Sequence, residues 1–473
     1  LKMDTSGFLI LKVLSLMILV YFCLINAFYF IFILLSLSGL LRYRRLSTYL
    51  NLKEIFHMPL AKPISVIAPA FNEERTIVES VRSLLSLEYP NFEIIVVNDG
   101  STDKTLQKLM ESFLLEKRNW VFRRLLLSQP IKGIYVSRSE DKLIVVDKEN
   151  GGKADALNAG INIARFPLFC AVDSDSLLEK DALLKVVRPF LEEPEKTVAS
   201  GGIIQLSNGC EIHKGQVIKV GLPQNWLAQF QIIEYLRAFL GGRTGLSLLR
   251  SLLIISGAFG LFRKDVVQSC GGYRQRTVGE DMDLVVRLQK DLREKRIPHR
   301  VTFVPDPICW TEAPETIRSL ARQRNRWHRG LIESLAYSFK MFLNPRYGIT
   351  GLVAMPYYTV FEMIGPLIET VGYLLFFYFI LTGQLNTSFA FLFFLLAVII
   401  GIMISLLAVL LEEYSEKRYP RLKNILTIFL FAWLENILYR QFLALVRAGA
   451  FISVMRRKRE WGRMERRGFR ANH

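Results

Sequence analysis

The sequence is poor in residues that build disulfide frameworks or soft-metal sites. Its five cysteines, Cys23, Cys170, Cys210, Cys270 and Cys309, stand apart and are odd in number, with no CxxC pair. That pattern excludes a disulfide scaffold and a zinc ribbon. The five histidines are scattered too, with no HExxH or HxxxH, so any metal is expected to have oxygen ligands. Internal repeats and low-complexity tracts are missing. Acids are also in short supply: 43 against 61 lysines and arginines, a formal net charge of +18. That balance suits nucleic acid, an anionic membrane surface or a phosphorylated substrate. Hydrophobic residues, by contrast, make up 51% of the chain and are gathered in blocks, as membrane spans require.

The first block, Phe8–Leu41, is almost wholly apolar. It is longer than the roughly 20 residues a helix needs to cross a bilayer, too long for a signal-peptide core, and lacks an A-x-A site. One long, tilted helix is expected. "RYRR" (Arg42–Arg45) follows, so the positive-inside bias places this end in the cytoplasm and the N-terminus outside. Three more apolar segments close the chain: Gly351–Leu381, Phe389–Leu411 and Ile425–Val454. The loop "TGQLNTS" has no Lys or Arg and is expected outside, whereas "EEYSEKRYPRLK" returns inside. The last segment contains Glu435, Arg440 and Arg447 and leads into a basic tail. Crossing would put that tail outside, so a helix lying partly in the interface or re-entering is favoured over a full span.

Between Lys62 and Lys340 the chain alternates strands and helices. "ISVIAPA", "FEIIVVND", "KLIVVDK" and "LFCAVDSD" read as four buried strands, with helices expected at Glu79–Leu87, Lys104–Leu115, Ala154–Ala164 and Glu179–Val187. Near-continuous Val/Ile runs separated by helices imply a parallel sheet covered on both faces. The expected organisation is an N-terminal membrane helix with its basic flank (1–45), a cytosolic α/β domain with interfacial helices (46–345), membrane helices (346–412), and a loop, membrane-associated or spanning helix and basic tail (413–473).

The candidate chemistry sits where strands end. Asp173 and Asp175 of "AVDSD" are two apart, so on a strand they share a face at the carboxyl edge, where open α/β sheets bind ligands. Two carboxylates there suit Mg²⁺ or Mn²⁺ bridging to a diphosphate; the plain alternative is a solvated turn capping a helix. In "NDGSTDKT", Asp103 is most simply a helix cap, and Asp99 is placed to bond a base or ribose. Lys153 follows the Gly151–Gly152 pair at a helix start, where it can reach an anion or sit on the surface. Glu280, Asp281 and Asp283 complement a helix N-terminus, although a carboxylate in a pocket mouth can also take a proton from a hydroxyl. "RSLARQRNRWHRG" packs five arginines beside one tryptophan. Helical steps of about 100° put Gln323, Arg326 and Trp327 on one face and Arg324 and His328 on another. Arginine grips phosphate bidentately, and tryptophan can stack on a sugar ring; a basic surface helix is the alternative. In "NWLAQFQIIEYLRAFL", Trp226, Phe230 and Ile233 share a face, as in an interfacial helix or an ordinary core helix.

The motifs "PAFNEE", "VNDGS", "GGKADALN", "DSD", "SGAFGLFR", "GEDMDL" and "RQRNRW", taken in order, make the chain resemble the membrane-integrated family 2 glycosyltransferases. Known members include cellulose, hyaluronan, chitin-oligosaccharide and poly-N-acetylglucosamine synthases. The resemblance implies a GT-A type α/β catalytic domain joined to N- and C-terminal transmembrane helices. It further implies a UDP-sugar donor, a saccharide or lipid-linked acceptor, Mg²⁺ or Mn²⁺, and the lipid bilayer. Ala70, Glu73 and Asp99 would cradle the uridine. Lys153 and Asp173 would lie by the nucleotide and its phosphates, with Asp175 as the chief metal ligand beside Asp173. Glu280 and Asp281 would be the catalytic acids, Asp281 the general base. Gln323, Arg326 and Trp327 would form the QxxRW motif, Arg326 holding the diphosphate and Trp327 stacking on the acceptor. Ser256 and Gly257 would be acceptor-side backbone.

Trp120–Lys142 and Ile203–Leu253 elaborate a minimal catalytic domain. No PilZ-type domain follows the spans, so control of the cellulose-synthase kind is not expected. Glu362 and Glu369, seven apart, share a helical face and suit a wet or inter-helix location. The rival readings are a transferase adding a single sugar to a lipid or short acceptor, and an inactive membrane scaffold or channel. A nucleic-acid-binding protein is disfavoured because the basic clusters flank the spans.

Overall fold

The four Val/Ile-rich runs form neighbouring parallel strands in a computed structural model that describes residues 5–49, 61–213, 215–383, 386–415, 418–419 and 421–456. The described residues form twelve strands. They are β1 (Ile64–Ala70), β2 (Phe92–Asp99), β3 (Leu115–Arg118), β4 (Ile131–Ser137), β5 (Leu143–Lys148), β6 (Leu168–Val172), β7 (Leu177–Leu178), β8 (Thr197–Leu206), β9 (Glu211–His213), β10 (Gln216–Lys219), β11 (Phe259–Arg263) and β12 (Arg300–Thr311). Ten of them make one sheet in the order β3-β4-β5-β2-β1-β6-β11-β8-β12-β7, and β9 and β10 form a separate hairpin.

The run β5-β2-β1-β6 is parallel throughout. Every residue of β1, β2 and β6 is buried, because helices cover both faces. The sheet is thus rich in parallel strands, as expected, but mixed: β11 lies antiparallel between β6 and β8, and β3 and β4 add an antiparallel edge. That edge takes in part of the Trp120–Lys142 elaboration. The helix expected at Glu179–Val187 runs instead from Ala182 to Glu192, because Leu177 and Leu178 are used as a strand against β12.

Among the described residues, four helical stretches are long and apolar enough to cross a membrane: Leu11–Arg45, Thr350–Leu381, Thr387–Ser415 and Leu422–Met455. The first packs its aromatics against the next two, with Phe28 5.1 Å from Phe361 and Phe22 5.4 Å from Phe393. Leu422–Met455 meets the length and composition for crossing, yet it is broken at Ile437 and Leu438, where Leu438 adopts φ 115°. Most of the basic tail, residues 457–473, lies outside the described residues.

The Trp226–Leu236 helix buries Phe230 and Ile233 and leaves Trp226 exposed. Phe230 stacks on Tyr439 at 4.8 Å and meets Phe431 edge-on at 4.9 Å. This helix therefore joins the α/β half to the last apolar segment. Several acids and arginines of the apolar helices find partners here and at the neighbouring helix contacts. Arg237 pairs with Glu435, which also accepts from Ser405. Arg447 reaches Glu234 and Glu362, each at 3.9 Å. Glu369 accepts from the Tyr21 phenol at 3.4 Å.

Candidate functional site

Two loops at the carboxyl edge of the sheet are tied side chain to backbone. The Asn72, Glu73 and Glu74 amides donate to Ser101 Oγ (3.0 Å), Thr105 Oγ1 (2.8 Å) and Asp103 Oδ2 (3.1 Å). Asp103 also accepts from the Thr105 amide at 2.9 Å, but it stands one residue ahead of Lys104, which occupies the N-cap position of the Thr105–Phe113 helix. The next loop is built on Asp99. Its carboxylate accepts the Gly151 and Gly152 amides at 3.0 and 2.7 Å and pairs with Lys148. The expected base or ribose contact must therefore share oxygens already engaged in shaping the glycine turn. Gly152 sits at φ 88°, which glycine tolerates best.

Lys148 escaped the sequence reading. It is fully buried between Asp99 and Asp155, 2.6 Å from the latter. Its signal was a lysine closing an apolar strand, since a buried ammonium demands acidic partners.

That glycine turn starts the Lys153–Ile163 helix and aims Lys153 into the cavity. The ammonium lies 2.5 Å from Asp173 Oδ1 and 3.4 Å from Glu280 Oε1, and donates to the Gly257 carbonyl at 3.2 Å. Burial works against the charge, but Asp173 and Glu280 hold the Lys153 pKa well above its ordinary value. Burial pushes the Glu280 carboxyl up, against the pull of Lys153. Gly257 also donates its amide to Asp281 Oδ2 at 3.0 Å. Its two backbone groups thus link Lys153 to Asp281. β6 ends at Val172, so a turn rather than strand alternation carries Asp173 and Asp175 to the cavity wall.

A β-carbon at Gly257 would stand 2.9 Å from Lys153 Nζ and 3.4 Å from Asp281 Oδ2. Gly257→Ala is expected to leave the protein folded while slowing turnover on the order of 10²-fold, the cost of a small misplacement of Lys153 and Asp281 in the cavity. Steady-state rates on purified protein check this.

Asp283, by contrast, is structural, being buried and paired with Arg287 at 2.8 Å and Arg274 at 3.0 Å. The start of the Glu280–Glu294 helix touches the Ile317–Tyr337 helix glycine to glycine. A β-carbon on Gly279 would come 2.6 Å from the Gly330 Cα. Glu333, another residue the sequence reading missed, pins the approach by accepting from Thr277 Oγ1 (2.9 Å) and the Val278 amide (3.1 Å).

On the Ile317–Tyr337 helix the expected division of faces fails for Arg324 and His328. Both line the same cavity as Gln323, Arg326 and Trp327. Residues three apart on a helix are neighbours, so Arg324 reaches Trp327 and lies 4.3 Å over its ring. Its guanidinium also donates to Gln323 and, at 3.0 and 2.7 Å, to both oxygens of Glu234. Tyr439 completes Glu234 at 2.9 Å. Trp327 stays 42% exposed, with Tyr235 6.4 Å away. His328 is pushed down to about 3 by burial and by Arg447, so it is neutral at physiological pH.

Burial alone would raise the Glu234 pKa, but Arg324 lowers it below the ordinary 4.5. A depressed acid stabilises the fold fully above its unfolded value and loses that contribution as pH falls through its folded one. Thermal unfolding should therefore show a stability loss beginning near pH 4.5 and growing below it. Glu234→Gln should flatten that loss.

All thirteen predicted site residues line one cavity of about 1090 Å³. The same cavity continues past Trp327 to Tyr29 of the first apolar helix and to Tyr357, Tyr358, Glu362 and Arg447 of later ones. Asp173 and Asp175 offer hard oxygen donors. Mg²⁺ needs only one or two carboxylates when substrate phosphates complete its shell. No group of three or more His, Cys, Asp or Glu able to hold a metal occurs among the described residues.

A mixed sheet with a parallel core, acids at its carboxyl edge and an arginine–tryptophan helix across the cavity is the GT-A glycosyltransferase arrangement. The profile of glycosyl transferase family group 2 matches residues 168–406, just over half the chain, and that of glycosyl transferase family 2 matches residues 65–124. The chain belongs to this family. It is similar to the poly-beta-1,6-N-acetyl-D-glucosamine synthase of Staphylococcus epidermidis, 29% identical over 277 residues, 58% of this chain and 56% of that protein. It is also similar to the synthase of the same name from Staphylococcus aureus (strain COL), 28% identical over 297 residues, 63% of this chain and 61% of that protein. The matched stretch thus spans little more than half the length of these relatives. Among solved structures, a mannosyltransferase from Pyrobaculum calidifontis in complex with GDP-Man and Mn²⁺ aligns at a TM-score of 0.49 and 17% identity, over 88% of this chain and 99% of that one. Residues 1–349 of S. aureus TarS in complex with UDP-GlcNAc align at 0.40 and 15%, over 80% and 92%. Neither score bears on this chain's chemistry.

Proposed function

We propose that the protein is an inverting, metal-dependent hexosyltransferase that extends a polysaccharide from a UDP-sugar at the cytosolic membrane face and passes it toward the membrane helices. The observation that carries this reading is the single cavity joining Asp99, Lys153, Asp173, Asp175 and Asp281 to Tyr29, Tyr357 and Glu362. A donor site that opens among membrane helices suits a product that must leave through them.

Asp281 takes the proton of an acceptor hydroxyl, and the oxygen attacks the anomeric carbon. The bond from that carbon to the diphosphate breaks with inversion, and UDP leaves with the electron pair. Lys153 and Arg326 present positive charge to the departing diphosphate. A divalent ion held by Asp175 with Asp173 would add charge stabilisation at the same oxygens. Ala70, Glu73 and Asp99 frame the nucleoside, Gln323 joins Arg326 on the donor side, Trp327 presents the acceptor, and Ser256 and Gly257 form its backbone wall.

The cytosolic orientation is supported by Arg42–Arg45 at the catalytic end of the first helix. There Tyr43 donates to Asp306, and Arg44 to the Tyr414 carbonyl at 2.8 Å. Positive flanks mark the cytoplasmic side, so residues 1–45 would cross with the N-terminus outside and 46–345 would be cytosolic. Residues 346–412 would follow as membrane helices.

The test is turnover of a UDP-sugar panel, UDP-N-acetylglucosamine first, by purified protein with Mg²⁺ or Mn²⁺, and sizing of the product. Transfer that stops on chelation and gives long chains is expected. A product one sugar longer than its acceptor overturns polymer extension, and full turnover after chelation overturns the metal.

A further inference from the structure

A second cavity, of about 500 Å³, lies apart from the catalytic one, and its lining is basic. Lys196, Arg250, Arg293, Arg296 and Arg346 surround it with His299, and among the described residues no acid lines it. Nearby acids neutralise it incompletely. Glu193 stands 3.5 Å from Lys196 and 3.8 Å from Arg250 but pairs more closely with Arg300, at 2.9 Å, and Glu294 takes the Tyr347 phenol at 2.7 Å. Arg293 is the built floor: it donates to the Tyr347 carbonyl at 2.9 Å and to the Arg250 carbonyl at 3.2 Å. Burial lowers it to about 10, so it remains a cation at neutral pH.

Two separate features place this pocket at the membrane boundary. Arg346, Tyr347 and Gly348 immediately precede the apolar stretch that starts at Thr350. Arg250 follows the short helix Thr244–Leu248. That helix packs on the first apolar helix so closely that a β-carbon on Gly39 would lie 3.0 Å from Leu248 Cδ1. Gly39 is just before the Arg42–Arg45 flank. Leu343, Ile349 and Leu352 in the adjoining segment are large exposed apolar residues. A cluster of cations beside exposed apolar surface, level with two helix ends, matches a ligand with an anionic head and a hydrocarbon body.

We propose that this pocket binds the phosphate of an anionic phospholipid headgroup, with the acyl chains lying over Leu343, Ile349 and Leu352. The inference rests on the membrane insertion proposed above. A bound lipid there would brace the junction between the Glu280–Glu294 helix, which carries Asp281, and the start of the second apolar stretch.

The test counts phosphatidylglycerol and phosphatidylcholine retained by the purified full-length protein, using native mass spectrometry across a lipid titration. Wild type should retain phosphatidylglycerol preferentially. Arg296→Gln with Arg346→Gln, two exposed positions, should weaken that retention about fivefold per charge removed, while Arg296→Lys with Arg346→Lys should keep it. Equal retention by wild type and the glutamine variant overturns the proposal. So does displacement of the lipid by millimolar inorganic phosphate, which would make this a site for soluble phosphate. Alkaline carbonate extraction of membranes separates the two readings: release of wild type overturns membrane insertion, whereas retention without charge-dependent lipid binding overturns only the pocket.

Discussion

Asp281→Asn is expected to abolish sugar transfer, lowering the rate about 10²- to 10⁴-fold, the range general-base catalysis supplies, with donor binding little changed. The asparagine keeps the size of the side chain, and its amide oxygen can still accept the Gly257 amide that Asp281 Oδ2 accepts at 3.0 Å. What it loses is the capacity to take a proton, together with the second oxygen that accepts the Met282 amide at 2.8 Å. Asp281 also lies outside the direct Lys153–Asp173–Glu280 contacts, so the donor side should survive. UDP release and product formation, measured beside UDP affinity, distinguish this outcome from a general collapse of the site. Transfer near the wild-type rate in Asp281→Asn, with Asp175→Ala inactive, would remove Asp281 from the role.

Arg324→Met is expected to cause the largest loss of stability among single changes near the cavity, about 3–5 kcal/mol, the cost of removing one partner of a buried ion pair. The Arg324 side chain is fully buried, and that of Glu234 is 11% exposed. Without the guanidinium, Glu234 keeps only the Tyr439 phenol at 2.9 Å and Arg447 at 3.9 Å. The Trp327 ring would lose the group lying over it, and Gln323 its donor. Thermal unfolding in detergent should show a large drop. Combining Arg324→Met with Glu234→Gln should restore much of it, because the uncompensated charge is then gone. A full loss persisting in the double variant would mean that packing, not charge, sets the cost.

Much of the site was legible because its chemistry follows secondary-structure arithmetic. Asp99 closes a buried strand, Asp173 and Asp175 follow another, Lys153 opens a helix behind two glycines, and Glu280 and Asp281 open a further one. Strand ends and helix starts are where side chains meet ligands, and apolar periodicity locates them. What went unread was contact between distant segments. Arg324 looked misplaced on a flat helical projection, because nothing local to "RQRNRW" shows that Glu234 of another helix waits beside it. Lys148 closes a strand in sequence, and only the fold brings Asp155 to it. Glu333 and the Gly279–Gly330 contact carry no signal in either stretch alone.

The sequence by itself therefore determined which residues could do chemistry, which segments are apolar enough for a membrane, and the parallel core that presents the acids. Only the tertiary structure decided that β11 enters the sheet antiparallel and that the opposing helix bears its arginine and tryptophan on the same cavity as the acids. It also decided that this cavity continues among the apolar helices. Those outcomes depend on packing and on charge neutralisation between residues far apart in the chain: Arg324 with Glu234, Lys153 with Asp173 and Glu280, glycine against glycine at 279 and 330. Local periodicity carries no information about such partners, because a buried charge selects the nearest opposite charge in space and not in sequence.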